Sequence, residues 1–139
     1  MPDRFVLDSF ALMALFQIEP GAAKVRELLE AAGTGQHELY MSVINLGEVL
    51  YTIENRRGVE AAQQALAFID QSPIETHEVD RPLALSAARL KAASGIGYAG
   101  CFAAALAQRL GGAIVTGDPD FRQVEDQVVV EWLPVTEAL

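Results

Sequence analysis

Short apolar blocks alternate along this chain with stretches whose apolar residues recur at helical spacing. Residues 5–7 form the first block and read as a buried strand; residues 10–16 continue as a helix rich in good formers, stopped near Pro20 and Gly21. Residues 22–32 form a second helix with Leu28 and Leu29 facing the core, broken by Gly33-Thr34-Gly35. Residues 39–43 read as the second strand, and Asn45 as the cap of a helix over 46–56 with Gly58 just past its end. That reading puts Glu48 in the helix's first turn. A helix over 60–70 follows, then a polar strand over 74–79 suited to a sheet edge, and a helix with Pro82 early in it that reaches residue 93. After the turn Ser94-Gly95-Ile96-Gly97 comes an Ala-rich helix over 98–110, closed by Gly111-Gly112. Strands over 113–116 and 128–132 complete the pattern.

Strand and helix signals that alternate from one end to the other predict a parallel sheet covered by helices on both faces. The expected fold is therefore α/β, a three-layer α/β/α sandwich on a mostly parallel sheet. With no linker or repeat, residues 1–139 are expected to form a single domain. No apolar run approaches the ~18 residues of a membrane span. The start, Met1-Pro2-Asp3-Arg4, lacks the pattern of an export signal, and one cysteine makes no internal disulfide, so a cytoplasmic protein is expected.

Ten Lys and Arg against 19 Asp and Glu leave a net charge of −9, which excludes nucleic-acid binding by bulk electrostatics. A polyanion would have to be met locally, by cations held on carboxylates or by a rim of Arg56, Arg57, Arg81, Arg89 and Lys91. Ordinary solvated helix surface is the plainer expectation for those basic residues.

Asp8 closes the first strand, Glu48 follows the second, and Asp118 follows the apolar Ala113-Ile114-Val115-Thr116. A doubly wound sheet brings strand ends and the starts of the following helices to one edge, so three acids distant in sequence converge there. Packed together they repel one another unless neutralised, and a hard divalent ion such as Mg²⁺ or Mn²⁺ takes oxygen ligands of this kind. Taken singly, each acid reads more simply as a helix cap or strand end; it is the combination that points to a metal. Ser9 and Thr116 place hydroxyls where they can orient a metal ligand or a bound water.

The stretches Leu7-Asp8-Ser9-Phe10-Ala11-Leu12, Asn45-Leu46-Gly47-Glu48-Val49, Tyr98-Ala99-Gly100-Cys101-Phe102-Ala103-Ala104-Ala105-Leu106-Ala107 and Val115-Thr116-Gly117-Asp118-Pro119-Asp120-Phe121 resemble, in order and spacing, the motifs of PIN-domain ribonucleases, above all VapC-type toxins of toxin–antitoxin pairs. The resemblance spans nearly the whole chain. It implies a PIN-like sandwich, an acidic pocket for one or two Mg²⁺ or Mn²⁺ ions, and endonucleolytic cleavage of RNA. Asp8, Glu48 and Asp118 match family acids that ligate metal, and Asp120 is expected as a nearby auxiliary acid in the same pocket. A site of this type acidifies a bound water, sets it in line with a phosphodiester and neutralises charge as the ribose 3′-oxygen leaves. The resemblance further implies a homodimer and a small antitoxin protein laid across the pocket.

The family's third acid belongs where this chain has Gly100. Glycine in the first turn of an Ala-rich helix is locally unfavourable, so its presence asks for a reason. Natural loss in a degenerate nuclease and deliberate replacement in a toxic one are the two origins; the intact flanking residues favour replacement. Either way the expected result is weak metal binding and little cleavage, with Gly100→Asp restoring both.

Two other functions compete. One is a module that binds an antitoxin or RNA without chemistry, using apolar helix surface around Leu12, Leu15, Phe16, Leu50 and Tyr51; core packing is an equal expectation for those residues. The other is a phosphoaspartate switch or phosphatase, disfavoured because Asp8 lacks a following Asp-x-Asp arrangement and no lysine follows Asp118. Cys101 reads as a small buried helix residue, and His37 and His77 as surface residues.

Overall fold

The strand Arg4–Leu7 (β1) runs through the middle of a five-stranded sheet, in a computed structural model that describes residues 3–135. On one side of it lie β2 (Glu38–Ser42) and β3 (Ile74–His77); on the other lie β4 (Ala113–Thr116) and β5 (Val129–Trp132), in the order β3-β2-β1-β4-β5. All four pairings are parallel, with Phe5 opposite both Leu39 and Ala113.

Alternation along the strands divides the core in two. Phe5, Leu7, Leu39, Met41, Ala113 and Val115 pack on α1 (Ser9–Phe16), α2 (Ala22–Gly33), α3 (Val43–Arg57) and α4 (Val59–Gln71). Val6, Tyr40 and Ile114 face the opposite layer, made of α5 (Arg81–Ala93) and α6 (Tyr98–Leu110). This is the expected three-layer α/β/α sandwich. Both layers follow from connectivity: two crossovers lead from β1 to β3 on one face, and the return from β3 to β4 covers the other.

Alanines let α6 sit deep. Residues 101–107 are all buried, and the four alanines among them let the helix pack closely in the layer that covers β1, β2 and β4. Gly111, at φ 66°, ends the helix in the left-handed conformation, and a Cβ at Gly112 would collide with the Arg4 carbonyl. Glycine is thus what lets the chain turn straight from α6 into β4 against β1.

Several boundaries depart from the sequence reading. β2 stops at Ser42, and α3 begins at Val43, because the Ser42 hydroxyl accepts from the Asn45 N–H at 3.2 Å and caps the helix. Asn45 is therefore inside the helix, not its cap, and Glu48 falls in the second turn, not the first. β3 ends at His77, short of Val79. The two histidines are half-buried instead of on the surface: His37 packs on Phe5 and meets the Leu28 carbonyl at 2.9 Å, and His77 packs on Tyr40. Cys101 is buried, as expected. Among the described residues no helix is long and apolar enough to cross a membrane.

Candidate active site

The sheet reverses winding direction beside β1, where β2 and β4 flank it on opposite sides, and the carboxyl ends of β1 and β4 open a crevice there. Asp8 sits at the mouth. It is only 3% exposed, and it caps α1 by accepting from the Ala11 N–H at 2.9 Å. Asp118 stands at the same level after β4, caps the 3₁₀ turn Pro119–Val124 through the Asp120 N–H at 2.9 Å, and is half-buried. Glu48 enters from the second turn of α3.

These three acids line one cavity of about 120 Å³ together with Ser9, Phe10, Asn45, Ile96, Gly97, Gly100 and Phe121. The structure thus brings Asp8, Glu48, Asp118, Ser9 and the position of Gly100 to one place. Thr116 is fully buried behind it, a hydrogen-bond partner of Asp8 whose hydroxyl also accepts from the Asp118 N–H at 3.1 Å. Asp120, expected in the same pocket, is instead exposed on the 3₁₀ turn and does not line it: its backbone N–H donates to the Asp118 carboxylate, and the residue itself lies in the first turn of the 3₁₀ element.

Burial raises the Asp8 carboxyl from 3.8 to about 7, against the opposing bonds from Thr116 and Ala11; the charges of Asp118 and Glu48 push it further up. A carboxylate in that setting is stabilised by a proton or by a cation. Oxygen donors from three acids suit a hard divalent ion, and the destabilised charge of Asp8 gives such an ion a favourable place to bind. No ready-made cage exists: among the described residues, no three His, Cys, Asp or Glu side chains are gathered tightly enough to hold a metal. The residues fit a cation in donor chemistry and charge.

Asn45 is a site residue that the sequence reading missed. It is fully buried, and its side-chain N–H groups donate to Ser9 Oγ at 3.2 Å and to the Ala99 carbonyl at 3.1 Å, while its Oδ1 accepts from Ser42 Oγ at 2.6 Å. It fixes α1, α3 and α6 around the pocket. The signal in the sequence was Ser42 three residues before it, the spacing of a capping pair.

The basic residues do not rim the acidic pocket. Arg56 and Arg57 instead line an apolar groove of about 510 Å³ with Arg26, Met13, Leu15, Phe16, Ile53 and Phe68. A furrow of about 300 Å³ shares Met13, Gln17 and Arg56 with that groove and Ser9, Phe10 and Glu48 with the pocket, so one depression runs from apolar to acidic. Of the five apolar residues expected on a binding face, Leu15 and Phe16 line the groove. Leu12 is wholly buried in the core, Leu50 packs partly against it, and Tyr51 is exposed outside the groove.

The family model of the PIN domain matches residues 5–127. The fold is similar to VapBC2 from Rickettsia felis bound to a DNA fragment from its promoter (TM-score 0.74, 16% identity, 94% of this chain and 99% of that one). It is also similar to the sarcin–ricin-loop-cleaving toxin VapC20 of Mycobacterium tuberculosis (TM-score 0.73, 18% identity, 94% and 99%). DNA-bound VapBC from Salmonella typhimurium is a third such structure (TM-score 0.70, 20% identity, 92% and 96%). No curated protein sequence matches the chain significantly.

Proposed function

This chain belongs to the PIN-domain family, and from that premise we propose that it is the toxin component of a type II toxin–antitoxin pair, built on a divalent-metal-dependent endoribonuclease site and impaired by Gly100. One observation carries the reading: Asp8, Glu48 and Asp118, remote in sequence, line a single pocket in which the charge of Asp8 is disfavoured unless neutralised. The likeness to VapC-type toxins supports the assignment to RNA.

In this reading Asp8, Glu48 and Asp118 hold Mg²⁺ or Mn²⁺, and Ser9 and Thr116 keep the acids and a water in place. When bound, the cation supplies an acidified water and offsets the negative charge of a phosphodiester. The chain's own contribution is positional. Thr116 holds Asp8 and the start of the Asp118 turn in one frame, and Asn45 holds the helix bearing Glu48 against α1 and α6. With Gly100 in place of a fourth carboxylate, cation affinity is lowered and cleavage is slow.

The test is calorimetric titration with Mn²⁺ and an RNA cleavage assay, with Asp8→Asn as the control. Mn²⁺ binding that disappears in Asp8→Asn supports the reading. Equal behaviour of both proteins toward Mn²⁺ counts against it.

A second reading, a chain that binds an antitoxin without chemistry, is favoured by the apolar groove and its arginines. In a chain of net charge −9, Arg26, Arg56 and Arg57 concentrate positive charge beside Phe16 and Phe68, a setting for an acidic, apolar segment of a small partner protein that continues along the furrow toward the acids. Purification of the chain and of Phe68→Glu from the native host, followed by size-exclusion chromatography, separates this reading from an enzyme without such a partner: a short protein that travels with the chain and is lost from Phe68→Glu supports it, and none with either protein counts against it. The homodimer is proposed on the family likeness, and the same chromatography reports it.

A further inference from the structure

Gly100 shares the wall of the acidic pocket with Ile96 and Phe121. A Cβ at position 100 would stand 2.8 Å from Ile96 Cγ2 and 3.1 Å from Phe121 Cζ. The first distance is shorter than real Cβ contacts, so one side must move. Neither side moves easily: Ile96 and Phe121 are each 1% exposed, and the crowding methyl of Ile96 is attached directly to its stiff, β-branched Cβ.

The backbone under Ile96 is also tied down. Its carbonyl accepts from Lys91 Nζ at 2.9 Å, and the preceding Gly95 N–H donates to Gln123 Oε1 at 2.8 Å. The turn between α5 and α6 therefore presents Ile96 to the pocket as a fixed wedge.

We infer that Ile96 is a positioning residue that sets how many carboxylates the pocket accommodates. With Ile96 and Phe121 packed as they are, a side chain at position 100 has no room, and the pocket is built around Asp8, Glu48 and Asp118 alone. This rests on reading the pocket as a cation site. It changes what Gly100 means: the place of a fourth acid is occupied by apolar packing, so Gly100→Asp by itself meets a steric obstacle before it adds a ligand.

The test uses Ile96→Leu, which conserves volume but moves the branch from Cβ to Cγ and so withdraws the obstructing methyl. Gly100→Ala and Gly100→Asp are each made alone and combined with Ile96→Leu. The thermal midpoint is read in EDTA, and Mn²⁺ affinity by calorimetry. Gly100→Ala alone is expected to lower the midpoint by about 3–6 °C, although alanine is the better helix former, and the loss should largely vanish in the combination with Ile96→Leu. Gly100→Asp alone should gain less than about twofold in Mn²⁺ affinity, and the combination about tenfold.

A midpoint for Gly100→Ala at or above that of the parent, or a full affinity gain from Gly100→Asp alone, overturns the inference. Rescue of the midpoint with no gain in Mn²⁺ affinity in any variant upholds the steric part and sinks the cation reading of the pocket instead. If Gly100→Asp does not fold alone, the alanine pair decides on the midpoint.

Discussion

The side-chain amide of Asn45 donates to the carbonyl oxygen of Ala99 at 3.1 Å, joining the helix that carries Glu48 to the helix that carries Gly100. The same side chain engages Ser9 and Ser42, so its hydrogen-bonding capacity is spent inside the protein. Asn45→Leu, close in size, should leave these buried partners unmatched and cost about 2–4 kcal/mol in chemical denaturation. It should also weaken Mn²⁺ binding about tenfold, as loss of a residue that orients ligands does. A variant as stable as the parent would remove Asn45 from the architecture of the pocket.

Asn45 also shows where sequence reading stops. Asp8 and Asp118 were legible only in combination: each alone has a structural role as a cap, but acids that close apolar runs as separate as Phe5-Val6-Leu7 and Ile114-Val115-Thr116 meet at one edge of a doubly wound sheet. The parallel sheet and its two helical layers followed from the alternation of strands and helices, and the polar composition of β3 gave its edge position, but the rest of the strand order came only from the structure. Asn45 was misjudged because Val43 and Ile44 are β-branched and favour strand locally, while the Ser42 cap and the packing of α3 override that preference. Ile96 was read as part of a turn between two glycines, and its bearing on position 100 exists only once α5 and α6 are packed together. The groove was half visible: Met13, Leu15 and Phe16 come from one helix, but Ile53 and Phe68 join them only through tertiary contact.

Asp8 sets a pH dependence in the absence of metal. Its folded-state carboxyl holds a proton up to about 7, while the unfolded one releases it near 3.8. The raised value means the contribution to stability is fully present below the unfolded value and is lost as pH rises through the folded one. In EDTA, the unfolding free energy of the parent minus that of Asp8→Asn should therefore fall by up to about 4 kcal/mol between about pH 4 and about pH 8. Urea titrations of both proteins across that range would measure it, and a flat difference would contradict the burial argument.

Glu48 contributes negative charge to the same pocket. Glu48→Gln should raise the metal-free thermal midpoint at about pH 8 slightly, by less than about 1 kcal/mol in stability terms. It should also reduce the stabilisation that added Mn²⁺ provides. Differential scanning calorimetry with and without Mn²⁺ reads both, and opposite signs for the two effects are the expected signature.

Ile18 lies at the edge of the apolar groove with φ 54° and is 82% exposed. A β-branched residue in the left-handed region is strained, and nothing is gained by burial at such exposure. Ile18→Asn should therefore raise stability by about 1 kcal/mol in denaturant titration. If the groove receives a partner, the same change should weaken the complex, so stability and affinity would move in opposite directions.

Asp8 and Asp118 reach the pocket from opposite ends of the polypeptide, because β1 finds one of its two neighbours only when β4 has been made. A nascent chain still short of Thr116 has the first carboxylate but no floor beneath it and no second wall. During synthesis at the ribosome, itself a body of RNA, the cleft is thus absent until β4 and Asp118 have emerged.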